Sequence, residues 1–246
     1  MDNIGYLAIS RAAMLQRATD VTANNIANAN TYGFRASNSV FESMVYQTDS
    51  KTDMRDMAYA IDRGTYADLS EGALLQTSNP LDVALVGDGW FGFMTANGQT
   101  ALGRGGSFTL SPQGDLVTVA GDFVLDEGGA PINIPPGSGN IEIGRDGTIT
   151  DEAGERIARI GVFAANDVGN WHQLGGSMMA PRDGAVDLMP VLDPNMAQGF
   201  VEQSNVNPIR EMTRLIEFQR QYESAMNLAS ATDELRKTTL GRLAPE

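Results

Sequence analysis

Glycine placement divides this chain more sharply than any other feature of its sequence. Of its 27 glycines, 24 lie between residues 36 and 200, which leaves both ends of the chain almost free of glycine. A glycine inside a helix costs about 1 kcal/mol relative to alanine, whereas tight turns between strands use its conformational freedom. The sequence therefore predicts two helical ends around a middle of strands and turns.

The N-terminal end predicts a helix over residues 3–30, with Gly33 as its stop. Two series of positions recur every seven residues within it, and together they make the alternating three-and-four spacing of helices that pack on other helices. The first series is Ile4, Arg11, Ala18 and Asn25, and the second is Leu7, Met14, Val21 and Asn28.

Three asparagines, Asn24, Asn25 and Asn28, stand close together near the end of this predicted helix. Asparagine is a poor helix former, but an amide in an apolar seam can specify register and the number of partners. We interpret the three as part of an interface with another molecule. Fraying or capping at a helix end is the alternative for each of them.

The C-terminal end predicts a longer helix over residues 206–242, with Pro208 near its start, where the missing N–H is not needed. Tyr222 offers an apolar ring with a hydroxyl that can bond at the rim of an interface. An ordinary exposed helix face is the alternative reading. The predicted apolar stripe consists of Met212, Leu215, Ile216, Gln219, Tyr222, Met226 and Ala229.

The middle of the chain predicts antiparallel β structure. Short apolar runs such as residues 81–86 and 90–94 alternate with glycine turns about every ten residues, a pattern typical of hairpins. Residues 36–70 are polar and weakly periodic. The predicted fold is α+β, with an N-terminal assembly helix over 1–35, an extended linker over 36–70, a central β domain over 71–200 and a C-terminal assembly helix over 201–246.

Charge restricts the partners of the chain. The net charge is −14, and residues 36–200 hold 22 acidic against 8 basic side chains. Nucleic acid is excluded as a partner because its binding rests on Lys and Arg, and adsorption to an anionic membrane is excluded for the same reason. Neither a cleavable secretory signal nor a membrane-spanning stretch is visible. There are no cysteines, hence no disulfides and no thiolate ligands.

Catalytic chemistry has little support in the sequence. His172 is the single histidine, and no Ser-centred nucleophile motif accompanies it. Residues 87–92 match a dinucleotide-binding glycine pattern, but a strand and a turn follow where that site requires a helix. Two other functional classes compete with this reading. One is an enzyme that uses Asp82, Asp88 and Asp122, and the other is an adhesin or binding module whose active part is the β domain. We predict no enzyme activity, cofactor, metal or small-molecule substrate.

Specific blocks of sequence resemble the flagellar rod and hook protein family, in order and over nearly the whole chain. Residues 23–35, which end in Gly33-Phe34-Arg35, resemble its N-terminal signature. Residues 204–207 and 215–223 resemble its C-terminal signature. The segments that resemble its β domain are residues 71–72, 77–85, 87–91, 104–108, 114–118 and 129–132. The length and residues 64–72 favour a proximal rod member, with a distal rod member as the alternative. Ser78 and Trp90 depart from the usual Gly and Phe.

The resemblance implies a structural subunit of the periplasm-spanning rod of the flagellar basal body. It implies export through the flagellar type III apparatus without a cleavable signal peptide, and partners among sibling rod subunits. It also implies that the terminal helices pair in a coiled-coil-like domain and contact neighbouring subunits, with the β domain outward. The expected assembly interface consists of Leu7, Met14, Val21, Asn24, Asn25, Asn28, Phe34, Met212, Leu215, Gln219, Tyr222 and Met226.

Overall fold

The computed structural model describes residues 2–46, 57–182 and 188–243 of the chain. The helices are α1 (Asp2–Ala27) and α2 (Pro208–Leu243), with a short 3₁₀ helix at Val168–Asn170. The strands are β1 (Ser37–Tyr46), β2 (Met57–Ala67), β3 (Leu74–Gln76), β4 (Val83–Leu85), β5 (Trp90–Met94), β6 (Thr100–Gly103), β7 (Phe108–Leu110), β8 (Leu116–Thr118), β9 (Phe123–Val124), β10 (Glu142–Ile143), β11 (Thr148–Thr150), β12 (Arg156–Arg159), β13 (Val162–Ala164), β14 (His172–Gly175), β15 (Met178–Ala180), β16 (Met189–Pro190), β17 (Met196–Gln198) and β18 (Phe200–Glu202).

The chain divides into two compact units. The helical unit comprises the described residues of 1–27, 37–66 and 207–246, and the β unit comprises those of 28–36 and 67–206. Each unit is therefore formed by segments that are not contiguous in the sequence. The predicted α+β fold, with a helix at each end and an antiparallel β middle, is confirmed.

Local chemistry explains where α2 begins. The side-chain oxygen of Asn207 accepts a hydrogen bond from the backbone N–H of Arg210 at 3.1 Å, which is the geometry of an N-cap. Pro208 follows as the first helical residue, where its fixed φ suits the helix. The predicted start at residue 206 was therefore two residues early.

Helix α1 ends at Ala27, three residues before the predicted end, and Gly33 with φ 68° lies beyond it in the following turns.

The largest sheet of the β unit carries antiparallel neighbours in the order β14-β15-β6-β5-β9-β8-β7, with β13 and β16 joined beside β5. Three smaller sheets accompany it among the described residues: β10-β11-β12, β17-β4 and β18-β3. The last two sheets pair strands from near the two ends of the unit, 110 or more residues apart. The glycine motif at residues 87–92 runs into strand β5, so no helix follows it.

Aromatic packing fills the centre of the β unit. Phe91, Phe93 and Phe108 are each at most 3% exposed, and their rings meet edge to face with centroids 5.5 to 6.5 Å apart. Such pairs add about 1 kcal/mol each beyond the burial of apolar area. A second cluster under Phe163 and Trp90 extends this core.

The segment predicted as an extended linker over 36–70 contains β1 and β2, which pair with each other as a two-stranded sheet. Over residues 37–42 of β1, Val40 is exposed, Phe41 is half-buried and no side chain is fully buried. Residues without a buried face carry no clear alternation of apolar and polar side chains. The weak periodicity of this part of the sequence agrees with that burial.

Candidate functional site

Helix α2 has one face that is consistently less exposed than the rest. Its buried and half-buried positions follow a four-three repeat, the spacing of a helix that packs along another helix. Helices α1 and α2 contact each other within the helical unit, which accounts for this burial. We call this face the inner stripe; its members are Glu211, Leu215, Phe218, Tyr222, Ala225 and Ala229.

The buried face of α1 is built largely from small side chains. Ala8, Ala12 and Ala18 are each at most 4% exposed, and Leu15 is 8% exposed. Alanine brings two helix axes closer together than leucine does, because the distance between axes depends on the side chains at the contact. Ala225 on α2, 6% exposed, contributes in the same way.

The predicted seam of α1 differs from the face that is buried within the subunit. Leu7 is 45% exposed, and Met14 and Val21 are half-buried. The buried positions Ala8 and Leu15 lie one residue further along, about 100° around the helix.

The other predicted series of α1 divides in the structure. Ala18 and Asn25 are buried and Arg11 is exposed, while the side chain of Ile4 lies outside the described residues.

Asn25 is bonded inside its own subunit. Its side chain is 2% exposed and donates to the carbonyl of Ser37 at 2.9 Å and to Glu211 Oε2 at 3.2 Å. Its Oδ1 accepts from the N–H of Ser37 at 2.9 Å. Arg214 pairs with the other oxygen of Glu211 at 2.8 Å. Asn25 therefore ties α1, the start of β1 and the first turn of α2 together.

The neighbouring asparagines have different surroundings. Asn24 is exposed, and Asn28 is half-buried just beyond the end of α1. The carbonyl of Asn28 accepts from the N–H of Thr31 at 3.1 Å, and its side-chain oxygen accepts from the Thr31 hydroxyl at 3.2 Å. Asn28 therefore shapes the turn that follows the helix.

A second apolar face of α2 is exposed. Ile209, Met212 and Ile216 are 77%, 51% and 51% exposed, and their three-four spacing aligns them along the helix away from the inner stripe. We call these three residues the outer stripe. Gln219, also exposed, continues its line. Of the predicted interface residues on α2, Met212 lies in the outer stripe, Leu215 and Tyr222 lie half-buried in the inner stripe, and Met226 is 40% exposed.

The end segments of the β unit, residues 28–36 and 199–206, are bonded to each other; we call this contact the junction. The N–H of Gly33 donates to the carbonyl of Glu202 at 2.7 Å, and the N–H of Asn205 donates to the carbonyl of Phe34 at 3.3 Å. The side-chain oxygen of Asn205 accepts from the N–H of Ala36 at 2.7 Å. Phe34 is 1% exposed, so it is part of the interior of its own subunit.

Asn205 also holds the chain that leads into β3. Its side-chain nitrogen donates to the carbonyls of Asp68 at 2.9 Å and Ser70 at 3.0 Å. The N–H of Asp68 donates in turn to the carbonyl of Ala36 at 2.7 Å. One amide side chain thus joins three separate segments of the β unit.

Beneath the junction lies a buried group of charges, the Arg–Glu–Arg cluster, formed by Arg35, Glu202 and Arg104. Arg35 Nη1 lies 2.6 Å from Glu202 Oε1, and Arg104 Nη1 lies 3.4 Å from Glu202 Oε2. All three side chains are at most 5% exposed. The N–H of Gly72 donates to Glu202 Oε1 at 2.8 Å. The ring of Trp90 lies 5.8 Å from Arg35 and 5.3 Å from Arg104, within cation–π range.

The cluster carries one more positive than negative charge in its buried part. Burial lowers the pKa of Arg104; the carboxylate of Glu202 raises it, and the charge of Arg35 lowers it again. Glu71, about half-exposed, lies 3.9 Å from Arg104. Arg35 Nε and Nη2 and Arg104 Nε have no hydrogen-bond partner within the described residues, and the close Arg35–Glu202 approach is an ion pair without hydrogen-bond geometry. Electrostatic attraction to Glu202 therefore has to offset the desolvation of two guanidinium groups.

Sequence reasoning missed Glu202, Arg104 and Ser37 as functional partners. Glu202 follows the fully buried Val201 in β18, and because successive strand residues point to opposite faces, no local signal marks Glu202 as buried. Trp90 was noted only as a departure from the usual phenylalanine, and its contact with the two arginines gives it a role.

Two carboxylates that could support catalysis accept hydrogen bonds within the β unit. The Asp82 carboxylate, 5% exposed, accepts hydrogen bonds from Ser107 and Asn79, both at 3.0 Å. Asp122 accepts from Thr118 at 3.3 Å, and His172 lies half-buried in β14. The part of the chain that the structure describes holds no group of three or more His, Asp or Glu side chains placed to bind a metal. Neither described helix offers a stretch long and apolar enough to span a bilayer.

The fold and these contacts define a class: an α+β protein with a helix pair from its two ends, an exposed apolar helix face and a β unit held by both end segments. Comparison with protein families narrows this class. Residues 6–35 match the flagella basal body rod protein model, residues 84–151 match the flagellar hook protein FlgE/F/G D1 domain, and residues 197–242 match the flagellar basal body rod FlgEFG protein C-terminal model.

Individual relatives agree with the family models. The chain is 39% identical to the flagellar basal-body rod protein FlgF of Mesorhizobium japonicum, over 95% of this chain and 96% of the relative. It is 36% identical to FlgF of Caulobacter vibrioides over 99% and 98%, and 32% identical to the flagellar basal-body rod protein FlgG of Agrobacterium fabrum over 93% and 95%. The chain belongs to the flagellar basal-body rod protein family, as its sequence motifs predicted.

Proposed function

We propose that this chain is a structural subunit of the periplasm-spanning flagellar rod and that it joins its neighbours through the outer stripe of α2. The observation that carries the proposal is the exposure of Ile209, Met212 and Ile216 in a protein of the rod family. Aligned apolar side chains on one helix face are typical of a surface that another helix covers. The sequence analysis expected the apolar seams of both terminal helices to contact neighbouring subunits. In this proposal the outer stripe of α2 makes that contact.

Within the subunit, α1 and α2 form a coiled-coil-like pair through the inner stripe and the buried alanines of α1. The heptad spacing of the buried residues supports this pairing. Leu7, Asn24, Met212, Gln219 and Met226 are exposed on the subunit, where neighbouring subunits can contact them.

The remaining predicted interface residues act mainly inside the subunit. Asn25 and Phe34 are buried, and Met14, Val21, Asn28, Leu215 and Tyr222 are half-buried. They contribute to assembly by holding the helices and the junction in shape.

The partners in this proposal are sibling rod subunits and the flagellar type III export apparatus. The chain reaches the periplasm through this apparatus, works in the basal-body rod, and has no enzymatic activity, cofactor or nucleic-acid partner. A place in the proximal rod is favoured because relatives named FlgF match at 33% to 39% identity. A place in the distal rod is the second candidate, since relatives named FlgG match at 31% to 32%.

The test is a pair of acidic substitutions in the outer stripe, Met212→Asp together with Ile216→Asp, expressed in cells that lack the chromosomal copy. We expect loss of swimming and truncated, hook-less basal bodies in electron micrographs, because burying two carboxylates in an apolar interface is costly. The purified variant should unfold within about 3 °C of the parent, since exposed substitutions change stability by about 0.5 kcal/mol.

The matched control is Leu235→Asp, an apolar residue of the same helix that is 65% exposed and lies outside the outer stripe. It introduces the same side chain with the same helix propensity, so normal swimming is expected. Full assembly by the double variant would exclude the outer stripe as an interface. A large loss of stability in the purified double variant would instead assign these residues to the fold.

A further inference from the structure

The Arg–Glu–Arg cluster brings together charges from three distant parts of the chain. Arg35 belongs to the first end segment of the β unit, Glu202 ends β18 in the last one, and Arg104 follows β6 in the body. Glu202 is separated from Arg104 by 98 positions. Residues this far apart in sequence come together only when both end segments are docked on the β unit, so the cluster forms only in that docked state.

Glu202 is a buried anion between two buried cations, Arg35 and Arg104. If β18 leaves, Arg35 and Arg104 remain near each other as like charges, with several guanidinium nitrogens that already lack hydrogen bonds. A buried charge that loses its partner destabilises the folded state by several kcal/mol, far more than an exposed one. The arginines must then move into water, and Arg35 takes residues 28–36 with it.

The backbone couples the same two segments. Gly33 donates to the carbonyl of Glu202, the residue that also holds Arg35 through its carboxylate. Asn205 bonds both Phe34 and Ala36. The two end segments are therefore joined both by hydrogen bonds and by the ion pair between Arg35 of the first segment and Glu202 of the last.

We propose that the Arg–Glu–Arg cluster is a latch that couples the two end segments of the β unit, so that residues 28–36 and 199–206 dock and detach together. The β unit then has no stable state with only one end segment in place. Because the latch rests on contacts within one chain, it is independent of the proposed rod function and can be tested on the purified subunit.

The test is hydrogen exchange with mass spectrometry, combined with thermal unfolding, on the full chain carrying Glu202→Gln. This change keeps the shape of the side chain and removes its charge. We expect the melting temperature of the β unit to fall by about 10 °C and protection to fall at least about tenfold in both end segments. Glu155→Gln, at an exposed residue of the same unit, should leave both quantities unchanged.

A second variant keeps the test decisive if Glu202→Gln fails to fold. Arg35→Met, Glu202→Leu and Arg104→Met together replace the charges by apolar groups, which restores stability to within about 5 °C of the parent. In the parent the two end segments should exchange at matched opening rates, and in this triple variant the rates should separate. The latch is disproved if Glu202→Gln exposes residues 199–206 alone, or if the opening rates stay matched in the triple variant.

Discussion

Replacing Gly33 with alanine is expected to destabilise the β unit by about 2–4 kcal/mol. Gly33 has φ 68°, and a Cβ there would lie 2.2 Å from both the carbonyl carbon of Arg104 and the nitrogen of Gly105. These are backbone atoms, so they cannot move aside as the end of a flexible side chain could. The junction would have to shift, and the bond from Gly33 to Glu202 would lengthen. Thermal or urea unfolding of the purified chain measures the effect.

Gly98→Ala is the matched control for this prediction. Gly98 has a similar φ of 77°, but a Cβ added there would meet nothing within 4 Å, so it isolates the cost of left-handed backbone for alanine. We expect a loss of about 1 kcal/mol there. Equal losses in the two variants would mean that the close approach of Gly33 to Arg104 does not limit the fold.

Replacing Asn25 with leucine is expected to destabilise the helical unit by about 2–4 kcal/mol. Leucine cannot make the three hydrogen bonds of Asn25, and it leaves the N–H and C=O of Ser37 unpaired in a partly buried place. Glu211, 6% exposed, keeps Arg214 but loses its bond to the amide. Far-ultraviolet circular dichroism during thermal unfolding should report an earlier loss of helix, because most of the chain's helical signal comes from α1 and α2.

Ala23→Leu introduces the same side chain at an exposed position of the same helix, and we expect no more than about 0.5 kcal/mol from it. If Asn25→Leu left helix stability unchanged yet prevented rod assembly, Asn25 would be a contact to another subunit, as the sequence pattern first indicated, and the intramolecular bonds would be incidental.

The placement of glycine and the periodicity of apolar residues were sufficient to predict the two terminal helices and the β structure between them. Helix α2 was predicted to within two residues at its start, because Pro208 and the lack of glycine over residues 200–240 are signals carried by nearby residues. Strands β1 and β2 were missed because residues 36–70 show no clear alternation of apolar and polar side chains, the signal by which a half-buried strand is recognised.

The roles of individual interface residues were harder to predict. Leu7 and Met14 belong to the predicted seam, but Ala8 and Leu15 beside them are the more deeply buried residues of α1. A heptad pattern gives the spacing of a packing face without deciding which of two neighbouring faces packs. That choice depends on the shape of the partner helix.

By itself, the sequence determined the family, the helical ends and the β middle, since these depend on motifs and on the periodicity of nearby residues. Only the tertiary structure decided that Asn25 binds Glu211, 186 positions away, and that Glu202 neutralises Arg35 and Arg104. The physical reason is that a buried polar group must find a partner in space, and chain folding brings that partner from anywhere in the sequence.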